Sequence, residues 1–251
     1  MAGILRVDQI QSTGGANVID VSSGSFKIWD GNSYETFTVS GALLSINTYT
    51  SQNGTWNSKS TSGGSGVWSK PSGCNHVLVY VTGGGGGVRC NDNQYRGAGG
   101  GGGATAIRYI DVSNVSSVNY TYGGGGGYAR NGGRGGTGGT SSFGSYCTAT
   151  GGQGGQTDNP HQGGPGGNAS GGDINIPGGG GEMSHGHNRE GGGGSSFWHK
   201  AGSSHHYYNN QEEITHGQWG SGGGYGYYSQ NSFAHNNGNG GAGCVIVFNY
   251  T

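Results

Sequence analysis

The side chains with chemical capacity fall in short segments between runs of glycine. Residues 88–96 end in Tyr95 and Arg96, 156–162 hold Asp158 and His161, and 182–190 hold His185, His187 and Arg189. The longest segment, 195–216, carries Trp198 and His199 and then His205, His206, Tyr207 and Tyr208; Trp219, Tyr225, Tyr227, Tyr228, Phe233 and His235 follow it. Rings set beside Asn, Gln and His suit recognition, because ring faces stack on sugar C–H faces or on apolar protein loops while amides and imidazoles reach hydroxyls. Tyr95, His161, Trp198, His199, His205, His206, Tyr207, Tyr208, Trp219, Tyr225, Tyr227, Tyr228, Phe233 and His235 are therefore the candidate binding set. The competing reading is that these side chains only cover the scaffold beneath them.

Metal chemistry has one candidate, His185-Gly186-His187, where alternation along an extended chain sets both imidazoles on one face. A threefold axis would gather six of them into an octahedral site. No carboxylates stand at matching positions, so a solvated loop competes with this reading and no cofactor is otherwise expected. Catalysis finds little purchase. The 12 acidic residues are scattered, and Glu212 and Glu213 are neighbours that diverge on a strand. No Gly-x-Ser-x-Gly elbow follows a predicted strand, and the chain is read as non-enzymatic.

The elements that position these side chains are glycine tracts. They lie at 83–87, 97–103, 123–127, 132–139, 151–155, 163–167, 178–181, 191–194, 220–226 and 238–243. Within 132–140 the order is Gly-Gly-Arg, Gly-Gly-Thr, Gly-Gly-Thr, and 151–156 repeats Gly-Gly-Gln twice. A period of three with one side chain per repeat fits a left-handed extended helix of three residues per turn with two bare edges. Flexible linker is the default for glycine-rich sequence, but disordered chains are poor in the aromatics that separate these tracts. With only 4 prolines and brief triplets, collagen is excluded. The tracts are read as polyglycine-II helices packed side by side, their main-chain groups bonded to neighbours.

Composition supports this. Of 251 residues 64 are glycine and only 29% hydrophobic, too few for a side-chain core the size of the chain. Charged residues make up 9% with a net charge of −1, which argues against nucleic acid or an anionic membrane as partner. No apolar run approaches the roughly 18 residues of a membrane span, and Met1 to Arg6 does not begin a signal peptide. Cys74, Cys90, Cys147 and Cys244 are widely spaced without a CxxC pair and are expected as free thiols.

Two short extended segments occupy 1–24, and Asp30-Gly31-Asn32 between 26–29 and 33–37 signals a hairpin. This small β module, 1–47, is too small for confident independent stability and is assigned attachment and oligomerisation through Ile4, Leu5, Val7, Ile10, Val18 and Ile19. Strands at 76–81, 105–112, 117–122 and 243–250 are expected to form one sheet that closes a glycine-rich domain, 48–251, with no significant α-helix. The fold class is thus all-β and irregular: a β module, then a sheet-anchored bundle of polyglycine-II helices with long loops.

Several ordered motifs carry a family resemblance. Thr48-Tyr49-Thr50, Gly54-Thr55-Trp56, Lys70-Pro71-Ser72-Gly73-Cys74, the strand Val77–Thr82 running into Gly83–Gly87, and the closing Gly240-Gly241-Ala242-Gly243-Cys244-Val245-Ile246-Val247-Phe248 resemble the glycine-rich tail-fibre domain of tailed bacteriophages. The opening, 2–11 followed by Gly15-Ala16-Asn17-Val18, is similar to short fibre proteins of marine phages. An insertion at 57–67 departs from the commoner pattern. The resemblance implies a polyglycine-II sandwich like that of T-even-like tip adhesins, and a receptor-binding virion protein assembled in a bacterial cytoplasm. Its expected partners are a host surface receptor, glycan or outer-membrane protein, and other virion proteins, with a homotrimer expected. The alternative is a structural fibre or capsid or neck decoration without a receptor.

Overall fold

A strand with alternating apolar residues buries one face, so a chain this poor in hydrophobics concentrates them in few strands. A computed structural model of the chain describes residues 9–11, 17–20, 27–29, 34–36, 41–52, 61–91, 96–130, 132–157, 162–183, 191–200, 206–207, 216–224, 227–228 and 238–251, the first four segments together with 206–207 and 227–228 as backbone. Among them no helix occurs, and the fold is all-β with several antiparallel sheets. The chain divides into two compact units, 1–42 with Thr251, and 43–250.

In the first unit Gln9–Gln11, Asn17–Asp20, Lys27–Trp29 and Tyr34–Thr36 form a meander in sequence order. Ile10 lies opposite Ile19, which lies opposite Ile28. Val18 sits beside Ile19 on the same strand, while Ile4, Leu5 and Val7 lie outside the described residues. Trp29 pairs with Tyr34, the hairpin that Asp30-Gly31 signals.

The second unit holds two five-stranded sheets. The first runs in the order Ile174–Ile176, Thr105–Asp111, His76–Thr82, Cys244–Tyr250, Leu43–Tyr49. The second runs Ala169–Ser170, Cys147–Ala149, Ser141–Phe143, Ser117–Tyr122, Gly64–Ser69. Val77, Val79, Val81, Val245 and Val247 from one meet Trp68, Val118 and Phe143 from the other in a single buried cluster. This corrects the expected single sheet: Ser117–Tyr122 pairs with Gly64–Ser69 and Ser141–Phe143, not with any of the other three strands expected beside it. That partner lies partly in the 57–67 insertion, where Gly63-Gly64-Ser65-Gly66 reads as loop. Gly64 and Gly66 are needed because a methyl there would stand 2.4 Å and 2.5 Å from the Tyr122 and Tyr120 hydroxyls.

All four cysteines are free and buried. Burial pushes the Cys147 thiol up to about 11 and the Cys244 thiol up to about 12, from an ordinary 9.0. The thiolate is thus disfavoured in the fold, so their contribution is complete below pH 9 and lost as pH rises through 11 to 12. Native protein at pH 8 is expected to leave Cys147 and Cys244 unlabelled by a thiol reagent that modifies both within minutes after urea unfolding. Rapid native labelling of either would contradict this burial.

Candidate functional site

His76–Thr82, Ser117–Tyr122, Cys147–Ala149 and Ile174–Ile176 each continue into a glycine rod. Successive N–H groups of the rod 83–88 bond three different neighbours in rotation. Gly84 and Gly87 donate to Gly139 and Gly136, Gly85 and Val88 to Gly241 and Gly238, and Gly83 and Gly86 to Ala104 and Gly101, all at 2.8–3.0 Å. A donor returning to the same neighbour every third residue is the signature of three residues per turn, and falling partner numbers mean antiparallel rods. The carbonyls repeat the pattern with partners numbered in parallel: Gly84 and Gly87 accept from Gly152 and Gly155, Gly85 and Val88 from Gly126 and Ala129, and Gly86 from Gly223. Rod 83–88 is thus ringed by six others.

Rod 99–104 is ringed in the same way. It donates to 179–182, 220–223 and 150–153 and accepts from 164–167, Gly194 and 83–86. A peripheral rod keeps the period but exposes its third residue: Arg134, Thr137 and Thr140 face solvent while Gly135 and Gly138 are buried. The polyglycine-II block expected from the triplets is therefore present.

Antiparallel pairing sorts the connections. Rods 83–88, 123–129 and 151–156 leave strands of the sandwich, and 99–104, 132–140 and 163–167 return to strands. The chain accordingly turns at the far end between 88 and 99, 129 and 132, 157 and 162, 183 and 191, and 224 and 238. At that end Arg89–Asn91 pairs with Arg96–Ala98, Val88 and Cys90 form a small buried cluster, and the Gln156 N–H donates to the Gln162 carbonyl. The Glu182 carboxylate accepts the Gly192 N–H there at 3.2 Å. Tyr128 is exposed with the Arg130 guanidinium 5.6 Å from its ring. The sequence reading named neither, although an aromatic and an arginine directly after Gly123–Gly127 were the available signal.

Tyr95, His161, His205, Tyr208, Tyr225, Phe233 and His235 lie outside the described residues, as do His185 and His187. Tyr95, His161, His185, His187, Tyr225, Phe233 and His235 belong to connections that start and finish at the far end. His206–Tyr207 pairs in parallel with Tyr227–Tyr228, joining two segments far apart in sequence. Among the described residues no three His, Cys, Asp or Glu side chains gather to hold a metal.

Trp198, His199 and Trp219 stand at the opposite end, where rods meet sandwich. The Trp198 indole N–H donates to the Thr82 hydroxyl at 2.9 Å, and its ring sits 5.3 Å from Tyr80 and 4.9 Å from Phe197. The Ser196 hydroxyl donates to the Trp219 carbonyl at 2.7 Å, tying the two segments. Trp219 has φ 47 and Gly220 φ 82, successive left-handed residues in a turn closed by Ser221 N–H to the Gln218 carbonyl. Left-handed backbone is costly for a bulky residue, so the surrounding bonds over-determine it. Phe197 and Tyr80 are absent from the sequence-derived set, and only the fold brings them beside Trp198. Ser196 and His199 do not make a nucleophile–base pair: the His199 main-chain N–H donates to the Ser196 oxygen, and its Nδ1 lies 2.6 Å from the Lys200 carbonyl.

The outward face of the first sheet is apolar. One cross-strand row reads Ile174, Ile107, Tyr80, Ile246, Thr48. The next reads Tyr109, Leu78, Phe248, Ile46. The middle members are half-buried by one another and the outer ones exposed.

A family described as a glycine-rich domain matches residues 58–250. No curated protein matches the chain.

Proposed function

The chain belongs to the glycine-rich domain family over 58–250, and from that premise we propose that it is a non-catalytic adhesin of a phage tail fibre. Residues 48–251 bind a host-surface glycan or outer-membrane protein, and 1–47 attach the chain to other virion proteins. It acts as a homotrimer in the virion after assembly in the bacterial cytoplasm, needs no nucleic acid or membrane insertion, and requires no cofactor unless His185 and His187 hold a metal across the trimer. The observation that carries this reading is the sorting of connections: five of them start and finish at one end of a rigid block. Recognition needs variable side chains held by an unyielding support, and main-chain packing leaves the connections free to vary without disturbing the rods. Several weak sites per virion then give tight adsorption by avidity.

The test replaces 225–237 by a Gly-Ser linker of equal length in the whole chain. Melting is expected to stay within a few degrees, while binding to host envelopes falls by more than about tenfold, since buried aromatic anchors contribute about 2 kcal/mol or more each. Binding unchanged in this variant, and in a second one with 92–95 and 158–161 replaced, sinks the reading. A structural fibre or decoration protein without a receptor is the other reading, favoured by the apolar sheet face. Purified chain that binds no host envelope yet incorporates into virions would select it.

A further inference from the structure

We infer that the outward face of the first sheet is the surface on which copies of this chain meet. This does not rest on the adhesin reading, since a structural fibre would need the same contact.

Leu43, Ile46, Tyr109, Ile174 and Phe197 are 46–56% exposed. Tyr109, Ile174 and Ile46 project from this face by register, Leu43 lies opposite Tyr250 at its margin, and Phe197 packs on its Tyr80 at 6.0 Å. Five side chains of roughly 200 Å² each, near half exposed, leave about 500 Å² of apolar surface before the half-buried central rings are added. That is at the upper end for a monomer, about 300–600 Å², and the central residues bring it towards the roughly 800 Å² per partner of a stable interface.

The chemistry selects the occupant. A sugar platform needs donors and acceptors among its rings, whereas this face is mainly Ile and Leu with its rings packed on one another. Charge is absent from both central rows; at the margin Asp111 lies opposite His76, and the Asp173 carboxylate accepts the Tyr109 N–H at 2.8 Å. Ser113 hydrogen bonds hold the Asp111 carboxyl below its usual range, so it stays ionised at that rim. An apolar, charge-depleted centre with a polar rim is typical of interfaces between identical subunits. The edge adds a second reason. Leu43–Tyr49 closes the sheet with seven residues, none of them charged or proline, and with Leu43, Leu44 and Ile46 exposed. Such an edge invites uncontrolled pairing unless it is covered, and closed symmetric association covers face and edge together.

The test weighs the full chain by sedimentation equilibrium. The expected result is a mass that is a multiple of 25.3 kDa, reduced to one chain in Tyr109→Glu and in Ile46→Glu. The dissociation constant should rise by more than about a hundredfold, since each new charge is buried unpaired. Val67→Glu is the control, because Val67 is equally exposed but lies on the second sheet; it should keep the assembled mass. Circular dichroism of each variant should match the parent, which separates dissociation from unfolding. A parent mass of one chain at micromolar concentration overturns the inference, and so does a Tyr109→Glu protein that stays assembled, or a Val67→Glu protein that dissociates equally. Assembly through the first unit, or burial of the face by a different protein, would appear as one of these.

Discussion

Gly86→Ala lowers the stability of the chain by roughly 3–5 kcal/mol, a fall in melting temperature on the order of 10 °C, whereas Gly127→Ala leaves it unchanged or raises it by up to about 1 kcal/mol. The two glycines are alike to any sequence rule. Gly86 sits in the rod with six neighbours, and an added Cβ would stand 2.1 Å from the Gln153 carbonyl oxygen and 2.4 Å from its carbon. Those atoms are main chain and cannot rotate away. Rod 83–88 would have to move, stretching the bonds from Gly86 N–H to the Gly101 carbonyl and from Gly223 N–H to the Gly86 carbonyl. Gly127 has nothing within 4 Å of the same position and is exposed. Urea unfolding of both variants measures the difference. Equal midpoints would mean that the rods are loosely held, and the account of the block as a main-chain core would fail.

A second large effect is expected at a polar hub inside the sandwich. Asn249 is fully buried; its oxygen accepts the Trp68 indole N–H at 3.0 Å, and its amide donates to the Ser45 carbonyl and hydroxyl and to Asn47 at 2.9–3.1 Å. The hub therefore links the edge strand Leu43–Tyr49 of one sheet to Gly64–Ser69 of the other. Asn249→Leu has nearly the same volume but strands the indole N–H in an apolar core, a loss of about 2–4 kcal/mol. Trp68→Phe removes the same bond from the other side. If the indole–amide bond is the coupling, the double variant is less destabilised than the sum by about 1–2 kcal/mol. Additive effects from denaturant curves would show that Asn249 acts through Ser45 and Asn47 alone.

Much of the architecture is legible in the residues. The triplets at 132–140 and 151–156 declare three residues per turn, because only a helix of that pitch puts Arg134, Thr137 and Thr140 on one edge. The apolar alternation in His76–Thr82 and Cys244–Tyr250 declares strands with one inner face. The spread of the cysteines declares free thiols. The strand Gly64–Ser69 was not legible, since a strand carrying Gly64 and Gly66 has its reason in the Tyr122 and Tyr120 side chains stacked over it. The candidate binding set was legible as a composition but not as a place: Trp198 and Trp219 read like Tyr95 and His161, yet stand at the opposite end of the block from the connections that hold those two.

The sequence by itself determined that the main chain packs on main chain, since 64 glycines leave little else to bury. Tertiary structure alone decided which rod neighbours which, and hence which connections share an end. The physical reason is that a glycine carries no side chain to encode its partner. Gly84 bonds Gly139 and Gly152, and Gly85 bonds Gly241 and Gly126, through groups identical in every residue. The choice is made by the strands to which each rod is spliced and by the closing of the whole lattice.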